Sequence, residues 1–386
     1  MPVGYLITLF LLGTCVLLLL APVRKRPLGL VSFWGGLLVN EQAHWFAVLL
    51  AGSTVLAFVE GDISGVARAI AGLAVLAEAG LIVLFLRSFR SRGTLREALA
   101  AFDSDSPAAL AGRRSYLAAL AAPPAMGRSR VRLKSDIPYG PVPGRANRLD
   151  LYLPRHGKVT GPTMIYMHGG RFRSGNKRRE AQAIKCQLAR RGWSVISANY
   201  RLNPEGSFPD YLIDLKRVIA WARGEGQAFG IDPERIFLAG GSAGAHIAAM
   251  AGLTAGKPEL QPGFEQVNTA VSGVIGIYGY YGGLESPGGR PPAVPSSPRR
   301  HVQPGAPPFL LIHGDHDSVV GRGGAAALVK ELQGAGNQAS LAVLPGAEHT
   351  FDLLRSVRTE NTIDSIVDFA AWAERSENRD LSQSRR

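Results

Sequence analysis

The sequence predicts an α/β fold on a mostly parallel central sheet, preceded by helices apolar enough to span a bilayer. Three observations predict it. Residues 1–23 carry no charged side chain, and two further apolar runs follow by residue 86. From about residue 131, short β-rich runs alternate with helical patterns, as parallel strands joined by crossover helices require. Several of those runs are almost continuously apolar, as strands covered on both faces are.

The elements follow in chain order. The run "YLITLFLLGTCVLLLLAPV" is long enough to cross a hydrocarbon core as a helix. A cleaved signal peptide competes with that reading, but Arg24, Lys25 and Arg26 follow the run and no basic region precedes it. Residues 28–39 are too short to span and read as interfacial or re-entrant. Residues 45–59 and 69–86 are the second and third spans. Glu78 interrupts the third; an ionisable group there is either functional or neutralised among packed helices. Arg87, Arg90, Arg92 and Arg96 follow it. With about three spans, the positive-inside rule puts these arginines, and the remaining chain, on the cytoplasmic face of an inner or plasma membrane.

The Ala-, Pro- and Ser-rich stretch that follows reads as a linker. The expected organisation is a membrane region at 1–95, a linker at 96–130, an α/β domain at 131–376 and a polar tail at 377–386. Strands are expected at 147–154, 163–170, 193–201, 235–241, 271–279, 308–314 and 340–345. Helices are expected at 177–191, 210–228, 243–253, 321–334 and 359–375. Residues 286–307 are too proline-dense for a helix or a central strand.

The net charge of +13 lies largely in short arginine clusters, which suit anionic lipid head groups. No nucleic-acid-binding motif accompanies them, so nucleic acid is not an expected partner. The two cysteines, Cys15 and Cys186, give neither a disulfide nor a metal spacing, and no metal or organic cofactor is expected. Oligomeric state is left open.

In "RIFLAGGSAGAHIAAM" an apolar run meets Gly240 and Gly241, then Ser242, then Ala243 and Gly244, then an alanine-rich helical run. A sharp strand-to-helix turn strains its tip residue and tolerates only small neighbours, which is the arrangement of a nucleophile elbow. A serine nucleophile needs a base, and the base an orienting acid. His349, between the last strand and the last helix, is the best-placed histidine. His44 lies in the membrane half, His156 and His301 read as surface, and His246 packs on the elbow helix. "LLIHGDHDSVV" supplies Asp315 and Asp317; Asp317 is favoured as the acid, with Asp315 serving the turn. "MHGGRF" ends an earlier strand with Gly169 and Gly170. Gly169 permits the turn, and the amides of Gly170, Arg171 and Ala243 are the expected oxyanion donors.

Taken together, "HGGRF", "NYRLNPEGSFPDYLIDLKRVIAW", "GGSAG", "HGDHD" and "GAEH" resemble, in order, the motifs of α/β-hydrolases of the hormone-sensitive-lipase and feruloyl-esterase-like carboxylesterase groups. With its apolar N-terminal half the chain is similar to bacterial membrane-linked lipase/esterases. The resemblance implies Ser242 as nucleophile, Asp317 as acid and His349 as base, acting on a small-molecule or lipid ester. Arg171 stands where that group has a third glycine, and the short proline-rich stretch leaves no room for a large helical lid. An amidase, arylformamidase or peptidase on the same scaffold, or a non-enzymatic ligand-binding membrane protein, are the alternatives. A fragment starting near residue 125 is expected to fold and to hydrolyse short soluble esters as the full chain does.

Overall fold

The computed structural model describes residues 2–22, 28–63, 65, 67–102, 116–121, 131–284 and 294–384. The basic loop at 24–26, most of the expected linker and part of the proline-rich stretch lie outside the described residues.

The N-terminal region is a bundle of α1 (Val3–Leu20), α2 (Leu28–Gly35), which runs into a π-helical turn at Gly36–Asn40, then α3 (Ala43–Val59) and α4 (Ala67–Phe89). Two helices are long and apolar enough to cross a membrane, and three spans result if the bent pair Ser32–Asn40 and Ala43–Val59 counts as one. The bend in that pair is 85°. Leu9, Leu12 and Val16 of α1 pack with Leu50 of α3 and Leu81 and Leu84 of α4. Phe10, Val48, Val55, Phe58, Leu76 and Leu86 face outward and exposed, the inverse of a water-soluble bundle. Gly80 lets α4 close on α1, because a Cβ there would run into Val16. Glu78 Oε2 is buried with no hydrogen-bond partner among the described residues.

After α4 come α5 (Ser91–Ala100) and the short α6 (Leu117–Ala121). Eight strands then form one sheet: β1 (Val131–Pro138), β2 (Arg148–Pro154), β3 (Thr163–Met167), β4 (Ser194–Ala198), β5 (Ile236–Gly241), β6 (Gly273–Ile277), β7 (Phe309–Gly314) and β8 (Ala339–Leu344). Their order is β1-β2-β4-β3-β5-β6-β7-β8. β1 and β2 pair antiparallel, as do β2 and β4; the remaining pairs are parallel. The five helices that complete the fold are α7 (Gln182–Arg190), α8 (Asp210–Gly224), α9 (Ala243–Leu253), α10 (Gly323–Gly334) and α11 (Val357–Ser384).

Helices cover both faces of the sheet, so β3, β4, β5, β6 and β7 are buried throughout and contain few polar residues. One core joins α8, α9 and α10 to the sheet; the other joins α5, α7 and α11 to its opposite face. The boundary expected at residue 96 therefore falls inside a helix whose Leu95, Ala98 and Leu99 belong to the second core. The last helix continues to Ser384, past the expected start of a tail at 377, because "ERSENRDLSQS" holds no proline or glycine to stop it. β1 was not anticipated; it is an edge strand with mostly exposed, largely charged side chains, and lacks the apolar pattern that marks the others.

The two regions are joined by buried polar contacts. At the bend, the Glu41 carboxylate accepts from Arg358 Nη1 and from Ser356 Oγ, each at 2.7 Å. Asn40 Nδ2 donates to the Gly346 carbonyl and Gln42 Nε2 to the Arg355 carbonyl, each at 2.8 Å.

Candidate active site

The parallel strands all end on the same side of the sheet, and the loops leaving β3, β5, β7 and β8 meet there. Ser242 occupies the turn between β5 and α9 with φ 54° and ψ −116°. A non-glycine residue in that region costs about 1–3 kcal/mol and persists only where its surroundings fix it. The neighbours show how. A Cβ on Gly240 would run into the Gly244 backbone, and one on Gly244 into the Met167 carbonyl. The Ser242 N–H is held by the Ile277 carbonyl at 3.0 Å.

The loop after β7 carries Asp317, which is 3% exposed. Its Oδ1 accepts the backbone N–H groups of Val319 (2.9 Å) and Val320 (2.7 Å). Its Oδ2 lies 2.8 Å from Nδ1 of His349, in the loop after β8, and 3.1 Å from Nε2 of His313. Burial alone would raise the Asp317 carboxyl. Hydrogen bonds from His313 and His349, the His349 charge and the Val320 amide outweigh it and hold the group well below the usual carboxylate range. An ionised carboxylate only accepts, so Nδ1 of His349 carries a proton toward Asp317 Oδ2. Asp315 takes a different role: its Oδ1 accepts the Gly346 N–H at 2.6 Å, tying the β7 and β8 loops together.

Ser242 and Ala243 share a cavity of about 770 Å³ with Arg171, Phe172 and the backbone after Asp317. Among the described residues no hydrogen bond joins Ser242 Oγ to His349; in ligand-free sites such bonds are often long and tighten only with substrate in place. The amides of Gly170, Arg171 and Ala243 have no acceptor among the described residues. Gly169 differs from the other expected oxyanion residues, because its N–H donates to Glu180 Oε2 at 2.7 Å. Its contribution is space: a Cβ at Gly169 would sit 3.0 Å from Ser242 Cβ. Arg171 adopts φ 57°, and its exposed side chain lines the mouth of the same cavity.

Several residues at the site were not singled out from sequence. His313 lies within an apolar strand and resembles a packing residue until the fold brings it to Asp317. Glu348 Oε1 accepts from the amides of both Ser318 (2.7 Å) and His349 (2.8 Å), joining the loop of Asp317 to that of His349. Tyr278 packs its ring 4.8 Å from that of His349 and donates its hydroxyl to Asp352 at 2.5 Å. Burial and the neighbouring Glu180 charge push the Asp352 carboxyl up to about 7, against the lowering effect of the Tyr278 bond. Of the other histidines, His246 is buried against Phe172 and Tyr280 as expected, whereas His301, expected at the surface, is buried with Nε2 against the Pro295 carbonyl.

A family model described as BD-FAE matches residues 149–283, and one described as the prolyl oligopeptidase family matches residues 278–378. The Mycobacterium tuberculosis protein named esterase LipQ is 36% identical over 67% of this chain and 67% of its own length. The probable carboxylic ester hydrolase LipM of the same organism is 35% identical over 61% of this chain. The chain spans about 60% of the length of LipM. The Arabidopsis thaliana isoprenylcysteine alpha-carbonyl methylesterase ICME is 30% identical over 57% of each chain. Among solved structures, esterase B from Lactobacillus Rhamnosis superposes with a TM-score of 0.56 at 20% identity, covering 75% of this chain and 98% of that one. A carbohydrate esterase from gut microbiota, in truncated form, superposes with a TM-score of 0.53 at 21% identity, covering 65% of this chain and 100% of that one. At such identities the superpositions speak to the fold alone.

Proposed function

The chain belongs to the α/β-hydrolase carboxylesterases of the hormone-sensitive-lipase and feruloyl-esterase type, and from that premise we propose that it is a membrane-anchored serine esterase that cleaves acyl esters through an acyl-enzyme. The observation that carries the reading is the Asp317–His349 pair, at the same end of the sheet as a strained serine turn whose Ser242 and Ala243 line a cavity with Arg171. His349 Nε2 takes the Ser242 proton as Oγ attacks the ester carbonyl. The oxyanion is received by the amides of Gly170, Arg171 and Ala243. His349 then gives the proton to the departing alcohol, and water repeats the cycle on the acyl-serine. Asp317, held ionised, fixes the imidazole tautomer and stabilises the imidazolium.

The apolar N-terminal helices hold the domain at the bilayer, on the side of Arg87 to Arg96, which the positive-inside rule makes cytoplasmic. The substrate class is a small-molecule or lipid ester. Ser242→Ala in the full-length protein tests the chemistry. It should lower ester turnover by about 10⁴–10⁶ and abolish labelling by a fluorophosphonate. Labelling that survives the substitution would place the nucleophile elsewhere, and turnover of amides above esters would favour an amidase.

A further inference from the structure

The segment 28–42 reaches the active site. Gly29 and Phe33 of α2 line the same cavity as Ser242. The Gly36 backbone lies so close to Glu348 that a Cβ there would fall 2.8 Å from its side chain. Glu348 in turn receives the amides of Ser318 and His349. Beyond the π-helical turn, the bend is fastened to the chain on both sides of His349. Asn40 holds Gly346, Gln42 holds Arg355, and Glu41 pairs with Arg358 at 1% and 0% side-chain exposure. A charge pair that deep is costly to break, since either partner left alone is a buried unpaired ion.

The cavity lining divides by chemistry. Arg171, Arg173 and Asn203 are polar, whereas Phe33, Leu284, Val319 and Val320 are apolar. We propose that α2 is the wall of the cavity that receives the hydrocarbon chain of a lipid ester, that Phe33 sets chain-length preference, and that the Glu41–Arg358 pair is the mount that keeps this wall in place. The inference deepens the serine-esterase reading and rests on it. α2 and the π-helical turn after it belong to the apolar bundle and carry exposed Trp34 and Leu38 (55% and 47%). A chain leaving the bilayer along this helix meets Phe33 without first being solvated, which favours long chains over short ones. A fragment starting near residue 125 lacks this wall altogether.

The test uses full-length protein in nanodiscs and a series of p-nitrophenyl esters from acetate to decanoate. Phe33→Ala should lower the decanoate-to-acetate ratio of kcat/KM by about tenfold, chiefly through KM. Glu41→Gln should lower the same ratio. Leu73→Ala, exposed on α4 and outside the cavity lining, should keep the wild-type ratio. Each protein is also labelled with a fluorophosphonate at Ser242. A wild type that does not label there overturns the serine reading itself. Variants that label normally and keep the wild-type ratio overturn the wall. Should Phe33→Ala be recovered without labelling, Phe33→Leu carries the test, and an unchanged ratio in that variant also overturns the proposal.

Discussion

Asp317 and Asp315 stand two residues apart in the same loop, and their surroundings give them opposite work. Asp317→Asn removes the acceptor that fixes the His349 tautomer and should lower kcat by about 10⁴. Asp315→Asn keeps an oxygen for the Gly346 amide and should cost far less; comparing kcat of the two variants checks the assignment. Asp352 makes a pH prediction. Its folded-state value of about 7 lies above the ordinary carboxylate range, so between about pH 4 and 7 the folded protein holds a proton that the unfolded chain has released. Stability from this group therefore falls as pH rises through that window. Asp352→Asn should flatten the decline of Tm from pH 5 to 7; an equally steep decline in the variant would assign it to another group. Ser242, Asp317 and His349 were legible because each sits beside a strand end in a motif a few residues long. His313, Glu348 and Glu180 were not. Their roles arise from loops that are neighbours only in the folded sheet, and no local pattern marks a carboxylate that will receive two amides.

At the scale of elements, the parallel strands were readable from their continuous apolar runs, and the helices between them from periodicity. The misreadings share a physical cause: each element draws its stability from distant partners and so carries a weak local signal. β1 is paired along one edge only and exposes most of its side chains. α5, "SRGTLREALA", has two arginines and a glycine and looks like a linker, yet Leu95 and Leu99 are 0% and 3% exposed beneath α11 and β8. Leu99→Ala should destabilise the hydrolase layer by about 2–5 kcal/mol, read as a lower urea midpoint with the m-value unchanged. A loss below about 0.5 kcal/mol would mean that α5 lies on the surface as a tether.

For the molecule as a whole, the apolar N-terminal region and the hydrolase share buried contacts, Glu41 with Arg358 and α5 with the second core. A fragment starting near residue 125 discards Glu41 and the whole of α5. Arg358 then loses its counter-ion, and the face of the second core under α5 is opened, removing the burial of Leu95 and Leu99. These losses weigh against the whole stability of an ordinary domain, only about 5–15 kcal/mol. The fragment should therefore be poorly soluble or melt well below the full chain, as differential scanning fluorimetry would show; a fragment as stable as the full chain would separate the two regions. The Glu41–Arg358 pair also has a consequence for biosynthesis. Chains emerge from the ribosome amino end first, so in the anchored enzyme proposed above Glu41 is seated at the bilayer before Arg358 is made, more than three hundred residues later. On that reading, closing the ion pair checks insertion, and a hydrolase whose leading helices miss the membrane lacks both its counter-charge and its proposed cavity wall.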